Sequence, residues 1–130
     1  MSEACKYELD RVRESQTATT GGRKFDGDKP RYGLLPPLAL KKTVQVLTIG
    51  AKKYEPDNWK HVPDAQNRYF DALLRHLWDW KMGETNDPET KENHLASVIC
   101  NALFLLERDL YSEEEWNTQI EALLIRKSDV

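Results

Sequence analysis

The stretch that decides the fold is residues 95–106, Leu-Ala-Ser-Val-Ile-Cys-Asn-Ala-Leu-Phe-Leu-Leu. Wound as an α-helix, it is apolar on nearly every side, which is typical of a helix at the centre of a bundle. It lies within a longer predicted helix that follows Asp87-Pro88 and runs from about Glu89 to Leu110. We therefore expect other helices to surround this segment.

Three further segments predict those helices. The first begins after Pro36-Pro37 and ends near Tyr54, and the second runs from Asp64 to Met82, with Gly83 as its stop signal. The fourth begins at Ser112, where Ser-Glu-Glu-Glu is a capping box. On the second helix the predicted buried arc consists of Phe70, Leu73, Leu74, Leu77, Trp78 and Trp80. No segment has the alternation of a strand, so the predicted fold is all-α, a four-helix-type bundle.

The chain before the first helix has two parts. Residues 1–22 are polar, which predicts a leader outside a single helical domain at 23–130, with a docking or oligomerisation helix at 112–126. Residues 23–37 hold glycines and prolines that forbid regular structure, and four cations within nine residues. This irregular basic loop is either a plain surface loop or a clasp for a phosphorylated ligand, in which Phe25 and Tyr32 would contact the flat part of the ligand.

Composition excludes several classes of partner. The chain has 130 residues and a net charge of −3, without the basic excess that binding to nucleic acid requires. No run of 18 apolar residues is present, so no membrane span is expected. Cys5 and Cys100 lie far apart, which indicates free thiols in the cytoplasm. Apolar faces left over on the first and last helices predict a homo-oligomer, either a dimer or a tetramer.

A polar stripe interrupts the apolar surface of the third helix. His94, Ser97 and Asn101 are spaced by three and four residues, so they face the same way. Buried polar groups must be satisfied, at a cost of about 1–3 kcal/mol each when they are not. The stripe is therefore either a self-satisfied polar seam or part of a binding site.

Just before this stripe, the turn at residues 83–89 places three carboxylates within six residues: Glu84, Asp87 and Glu89. Hard cations such as Mg²⁺ or Mn²⁺ bind carboxylate oxygens and keep water ligands, so such a cluster can hold one beside a phosphate. The alternative is a solvated turn in which Asp87 caps the third helix and Glu89 is favoured by the helix dipole.

Other candidates for ligand binding come from three places. Arg75 and His76 lie on the second helix, and Lys53 ends the first. Asn58 and Trp59 follow in the next turn, where the indole would either stack on a base or cap the core.

With these residues, the chain resembles the phage and prophage dATP/dGTP diphosphohydrolases, which are MazG-like (MazZ-type) nucleotide pyrophosphohydrolases. The resemblance covers residues 22 to about 109 and rests on Lys24-Phe25-Asp26-Gly27-Asp28-Lys29-Pro30-Arg31, Leu34-Leu35-Pro36-Pro37, Gly50-Ala51-Lys52-Lys53-Tyr54, Asn58-Trp59, Arg75-His76, Trp80, Gly83-Glu84, Asp87, Glu89, His94 and Asn101. It implies a MazG-like helical fold and hydrolysis of purine deoxynucleoside triphosphates to the monophosphate and pyrophosphate, with Mg²⁺ or Mn²⁺.

The same resemblance implies roles for individual residues. Catalysis would involve Glu84, Asp87 and His94, and metal binding would involve Glu84, Asp87 and Glu89. Substrate contacts would come from Lys24, Lys29, Arg31, Lys53, Asn58, Trp59, Arg75, His76 and Asn101. The chain departs from better-known MazG-type enzymes on the second helix, where Arg75 and His76 stand in place of acidic residues. An alternative function is therefore a non-catalytic binder of nucleotides or of nucleotide-derived signals.

Overall fold

The computed structural model describes residues 21–128, and the chain divides between Leu35 and Pro36 into two compact units. In the first unit, residues 21–35 are irregular, as predicted, apart from a 3₁₀ turn at Tyr32–Leu34. A backbone hydrogen bond from the Lys29 amide to the Asp26 carbonyl closes a turn just before it. The predicted polar leader at residues 1–22 falls outside the described residues except for Gly21 and Gly22.

The second unit contains four α-helices: α1 at Pro37–Lys53, α2 at Ala65–Lys81, α3 at His94–Asp109 and α4 at Glu113–Ser128. A 3₁₀ turn at Asn58–His61 lies between α1 and α2. Residues 21–128 contain no strand, only an isolated antiparallel bridge between Asn86 and Asn93. The all-α prediction is therefore confirmed. None of these helices is both long and apolar enough to cross a bilayer.

Local signals explain where these helices begin and end. After α2, Gly83 has φ of 107°, and the amides of Gly83 and Glu84 donate to the carbonyls of Trp80 and Asp79. This is a Schellman ending, in which a residue with positive φ turns the chain back over the last carbonyls. Before α4, Ser112 Oγ accepts from the Glu115 amide while the Glu115 carboxylate accepts from the Ser112 amide, both at 3.1 Å. The predicted capping box is therefore present.

The predicted start of the third helix at Glu89 is wrong, because α3 begins five residues later at His94. Lys91 has φ of 66°, outside the helical region, and Asp87 accepts a hydrogen bond from the Glu89 amide in a tight side-chain turn. Asn93 then caps α3 by accepting from the Leu95 amide at 2.8 Å. Residues 82–93 therefore form a loop instead of a first helical turn.

The helix that was predicted to be central does lie at the centre of the second unit. α3 packs against both α1 and α2. The thiol of Cys100 is buried and donates to the carbonyl of Thr43 in α1. One turn further along α3, Phe104 stacks on Trp59 with ring centroids 4.6 Å apart, and Trp116 from α4 packs against the same indole.

The predicted buried face of α2 is wrong for its large aromatic residues Phe70 and Trp78. Phe70 is 51% exposed and Trp78 is 61% exposed, whereas Tyr69 and His76 contact Phe104 and His94 of α3. Both sides of α2 are apolar enough to pack, and α3 takes the side that carries the imidazole. The polar stripe of α3 is buried as predicted, since His94, Ser97 and Asn101 are all largely inaccessible to solvent.

Candidate functional site

The loop from α2 to α3 is closed on itself by backbone hydrogen bonds. The His94 amide donates to the Thr85 carbonyl at 3.0 Å, and the Asp87 amide donates to the Glu92 carbonyl at 2.8 Å. The bridge between Asn86 and Asn93 lies between these two contacts. The loop therefore returns to the end of α2, and it holds its carboxylates beside the first turn of α3.

His94 is the centre of this arrangement and is only 2% exposed. Its Nε2 lies 2.7 Å from Glu84 Oε1, and its Nδ1 lies 2.8 Å from His76 Nδ1. A carboxylate can only accept, so Nε2–H of His94 donates to Glu84. In the neutral imidazole this leaves the lone pair on Nδ1, which accepts from Nδ1–H of His76. Three side chains thus form one chain of hydrogen bonds, Glu84 to His94 to His76.

His76 is partly buried, and burial lowers the pKa of its imidazole below the usual value. The neighbouring His94 lowers this pKa further, whereas the carboxylate of Asp87 raises it. The net direction is downward, so the ring of His76 is neutral near pH 7. A neutral ring can offer a nitrogen lone pair to a ligand, which a protonated ring cannot do.

Two overlapping groups of side chains among the described residues could hold a metal ion: His76 with Asp87 and His94, and Asp79 with Glu84 and His94. In each group the potential ligand atoms lie within 4.8 Å of one another. Because a neutral imidazole has one lone pair, His94 can serve only one group at a time. The hydrogen bond to Glu84 occupies Nε2 and directs Nδ1 toward His76, which favours the first group.

A cavity of about 860 Å³ opens next to this cluster, between α1, the 3₁₀ turn at Asn58–His61, α2 and α3. His76, Ser97 and Asn101 line it, which connects the cluster to the cavity. Arg68 and Arg75 add two cations to its wall. Its aromatic lining comes from Tyr54, Trp59, Tyr69 and Phe104. A mixed polar and aromatic cavity of this size is suited to a ligand of several hundred daltons.

The structure brings together only part of the predicted site. Glu84, Asp87, His94 and His76 meet in the cluster, and Asn58, Trp59, Arg75 and Asn101 line the cavity. Glu89 lies outside both metal-binding groups, and its exposed carboxylate pairs with Lys53 at 2.7 Å. Lys24, Lys29 and Arg31 belong to the first unit, where all three are exposed.

The structure also bears on the two interpretations of Trp59. Its indole lies nearly parallel to Phe104, at an interplanar angle of 15°, and contacts Trp116 as well. This position in the aromatic core agrees with the core-capping interpretation. Lys60 lies 5.8 Å from the indole centroid.

The site includes residues outside the predicted set, among them Asp79 and Arg68. Asp79 belongs to the second potential metal group, and Arg68 lines the cavity. The signal for Asp79 was present in the sequence, because it follows His76 by three residues and so shares its helix face. No comparable pattern in the sequence indicated Arg68, which lies on an exposed part of α2 close to the start of the helix.

Comparison with known proteins agrees with this picture. A curated relative from Salmonella phage PMBT28, named dATP/dGTP diphosphohydrolase, is 26% identical over 113 residues. The match covers 84% of this chain but 38% of the relative, so the chain spans about two fifths of that protein's length. No solved structure matches the chain significantly. Residues 19–118 match the family described as "dATP/dGTP diphosphohydrolase, N-terminal". The chain belongs to this family.

Proposed function

We propose that this chain hydrolyses purine deoxynucleoside triphosphates, dATP or dGTP, to the monophosphate and pyrophosphate, with a divalent metal held by His76, Asp87 and His94. The observation that carries the proposal is the cluster of these three residues beside a cavity of nucleotide size, in a chain of this family. The activity named for the phage relative supports the choice of reaction.

The donor atoms fit a metal ion. His76 Nδ1 and His94 Nδ1 are 2.8 Å apart, close to the roughly 3 Å that separates neighbouring ligands of a divalent ion with bonds of about 2.1 Å. A metal bound by both nitrogens would replace the hydrogen bond between them, and His76 would then carry its proton on Nε2. Two imidazole nitrogens and one carboxylate suit a transition metal better than Mg²⁺, which prefers oxygen ligands. Of the two ions expected from the resemblance, Mn²⁺ is therefore the better match.

Glu84 has a positioning role in this proposal. It accepts the proton of His94 Nε2 and thereby fixes the tautomer whose Nδ1 faces the cluster. The burial of His94 then prevents the ring from rotating away into solvent. A divalent ion bound at His76, Asp87 and His94 would stabilise the negative charge that develops on phosphate oxygens during hydrolysis.

The cavity supplies the remaining contacts with the nucleotide. Arg68 and Arg75 provide guanidinium groups, which bind phosphate oxygens in a bidentate geometry. Asn101 donates its amide to the Ser97 carbonyl at 2.8 Å, so its side-chain oxygen is the group left to accept from a ligand. Asn101 thus orients a donor of the substrate, and the arginines bind its triphosphate.

The direct test is incubation of the 130-residue chain with each deoxynucleoside triphosphate and Mn²⁺ or Mg²⁺, followed by separation of the products. We expect the monophosphate and pyrophosphate from dATP or dGTP, with faster turnover in Mn²⁺. Release of the deoxynucleoside diphosphate and inorganic phosphate would refute the proposed site of bond cleavage. Absence of turnover with all four nucleotides, in protein with an intact circular dichroism spectrum, would refute the function.

A pair of variants in the same loop links activity to the cluster. Asp87→Asn removes the ligand charge and should lower kcat by about a hundredfold or more. Glu92→Gln is the matched control, because Glu92 lies outside both metal-binding groups and its carboxylate pairs with Lys42 at 3.7 Å. We expect Glu92→Gln to retain activity close to that of the wild type. Equal losses in the two variants would contradict the assignment.

A second candidate function is nucleotide capture without turnover. It is favoured by the two arginines of the cavity, because guanidinium groups bind phosphate without a metal. Calorimetric titration with dATP in the presence and absence of EDTA separates the two functions. Unchanged affinity in EDTA, together with no hydrolysis, would support capture.

A further inference from the structure

A second cavity, of about 880 Å³, adjoins the one beside the metal-binding cluster. It lies between the 3₁₀ turn at Asn58–His61, the start of α2, the end of α3 and the start of α4. The two cavities share the side chains of Trp59, Val62, Tyr69 and Phe104. Phe104 stacks on Trp59 and contacts Tyr69 with ring centroids 5.2 Å apart, so the shared wall is a packed unit.

Aromatic rings make up much of the lining of the second cavity. Trp116 is buried, and its ring centroid lies 5.8 Å from that of Trp59 and 5.7 Å from that of Tyr111. Tyr69, Phe70 and Phe104 complete the aromatic lining. Aromatic side chains bind flat ring systems by stacking, so this lining favours a flat ligand.

Arg108 presents a fixed guanidinium group in the same cavity. The group lies over the ring of Trp116 at 5.1 Å, and it donates to the Tyr111 carbonyl and to the Glu113 carboxylate. These two hydrogen bonds leave three of its five N–H donors for a ligand. A guanidinium group with free donors recognises a pair of neighbouring acceptors, such as O6 and N7 of guanine.

Asp109 brings a carboxylate to this cavity next to Arg108. No other residue in 21–128 forms a salt bridge with it. The other carboxylates are engaged, since Glu113 pairs with Arg108. Asp64 accepts from the Asn67 side chain at 3.0 Å. A free carboxylate accepts two neighbouring N–H donors, and guanine offers such a pair in N1–H and its exocyclic amino group.

The charges of the lining limit the charge of the ligand. Lys60 and Arg108 are its cations, whereas Asp64, Asp109 and Glu113 are its carboxylates. Neither metal-binding group belongs to this lining, so no metal site offsets the excess of negative charge. Like charges repel, so a neutral nucleoside fits the second cavity better than a nucleoside triphosphate does.

We propose that the second cavity is an effector site for a guanine nucleoside. Asp109 accepts from N1–H and the amino group of the base, and Arg108 donates to the acceptors O6 and N7. The bound base contacts and orders the wall that both cavities share. A nucleotide in the first cavity then has less of that wall to order, so it binds more tightly. This effector role rests on the proposed function, whereas the nucleoside site does not.

The first test is calorimetric titration of the full 130-residue chain with nucleosides in EDTA, which keeps metal out of the cluster. We expect deoxyguanosine to bind. Deoxyinosine lacks the exocyclic amino group and should bind about tenfold more weakly. Deoxyadenosine has an acceptor in place of N1–H and should bind more weakly still. This order is the signature of a carboxylate on that edge of the base.

Variants then assign the binding to one cavity. Asp109→Asn should weaken deoxyguanosine about tenfold and abolish the preference over deoxyinosine. Glu107→Gln is the matched control, because Glu107 is an exposed carboxylate of α3 that lines neither cavity. It should bind deoxyguanosine as the wild type does. Arg75→Gln changes the first cavity alone and should also leave this affinity unchanged.

The effector role is tested by titration with dATP in EDTA, with and without saturating deoxyguanosine. We expect deoxyguanosine to lower the dissociation constant of dATP about fivefold. At the same nucleoside concentration the effect should be lost in Asp109→Asn and kept in Glu107→Gln. Deoxyguanosine binding requires neither dATP nor a metal, so the nucleoside site and the proposed function can fail separately.

Several results would overturn this assignment. Absence of deoxyguanosine binding by a chain with an intact circular dichroism spectrum would remove the site. Equal affinity for the three nucleosides would refute recognition by Asp109. Weakening of dATP by deoxyguanosine, with loss of nucleoside affinity in Arg75→Gln, would place the nucleoside in the first cavity. Unchanged dATP affinity in a chain that has bound deoxyguanosine would refute coupling through the shared wall.

Discussion

Replacement of Glu84 by glutamine tests the hydrogen-bond chain on which the site is built. The carboxylate accepts from His94 Nε2 at 2.7 Å and fixes the tautomer of the buried ring. A glutamine of nearly the same size can present either its oxygen or its amide group, so it no longer selects one tautomer. Glu84→Gln should therefore weaken metal binding at His76, Asp87 and His94 without removing a ligand.

The size of this effect follows from the geometry. Loss of a carboxylate that orients a metal-binding histidine typically costs 10–100-fold in affinity, or about 1.4–2.8 kcal/mol. The Glu84 side chain is 49% exposed, so water competes for its oxygens and can partly replace it. We expect the lower half of that range for Glu84→Gln, roughly 10–30-fold. Asp87→Asn removes a ligand charge and should cost more, about a hundredfold or above.

The assay is calorimetric titration of the chain with Mn²⁺, repeated in an excess of Mg²⁺ as competitor. Circular dichroism and thermal melting of each variant confirm that the fold is retained. Glu92→Gln controls for loss of a negative charge from the same loop and should bind Mn²⁺ within about twofold of wild type. Magnesium in excess should displace little Mn²⁺ from a site with two imidazole ligands.

Three results would refute the reasoning. Glu84→Gln that binds Mn²⁺ as tightly as the wild type would show that the tautomer of His94 does not matter. A loss equal to that of Asp87→Asn would make Glu84 a ligand itself. A wild-type chain that takes up no Mn²⁺ would remove the metal from the proposed function.

Further predictions concern stability and thiol chemistry. Gly83→Ala should lower the free energy of unfolding by about 1–2 kcal/mol in urea titrations, because a side chain at φ of 107° is strained although nothing lies within 4 Å of the added carbon. Gly50 lies inside α1, and again nothing lies within 4 Å of the added carbon. Gly50→Ala should therefore raise the free energy of unfolding by about 0.5–1 kcal/mol, and a decrease would contradict this reasoning. Ser112→Ala breaks the capping box and should cost about 1 kcal/mol, measured in the same way. Burial raises the pKa of the Cys100 thiol from 9.0 to about 11, so in a Cys5→Ser background this thiol should react with a disulfide reagent at pH 8 only after unfolding. Between pH 9 and 11 the unfolded chain loses a proton that the folded chain keeps, so this thiol lowers stability as pH rises through that range.

Much of the fold could be predicted because the helix ends carry their own chemical signals. Pro37, Gly83 and Ser112 act through local backbone geometry, and the observed ends of α1 and α2 and the start of α4 lie within a residue or two of the predicted ones. The start of α3 was harder to predict, because Lys91 adopts a positive φ that its residue type does not signal. Glutamate and lysine at residues 89–92 are good helix formers, and the loop's own hydrogen bonds override that preference.

The site could be predicted only in part for a related reason. Spacing by three and four residues was enough to group His94, Ser97 and Asn101 on one face of α3. The side of α2 that packs on α3 could not be predicted in the same way, since both sides of this helix are apolar. Helical periodicity predicts burial of the side with Phe70 and Trp78, whereas the side that packs on α3 carries His76. Which imidazole meets His94 therefore required the three-dimensional structure.

The closed loop between α2 and α3 has a consequence for how the chain folds. Every side chain of the two metal-binding groups lies between His76 and His94, so their contacts span at most 18 positions of sequence. Closing such a short segment costs little chain entropy, and local contacts form fast. We expect the cluster to assemble together with the α2–α3 hairpin, before α4 docks. In stopped-flow refolding, protection of the His94 amide should then appear in the earliest resolved phase, ahead of the change in Trp116 fluorescence.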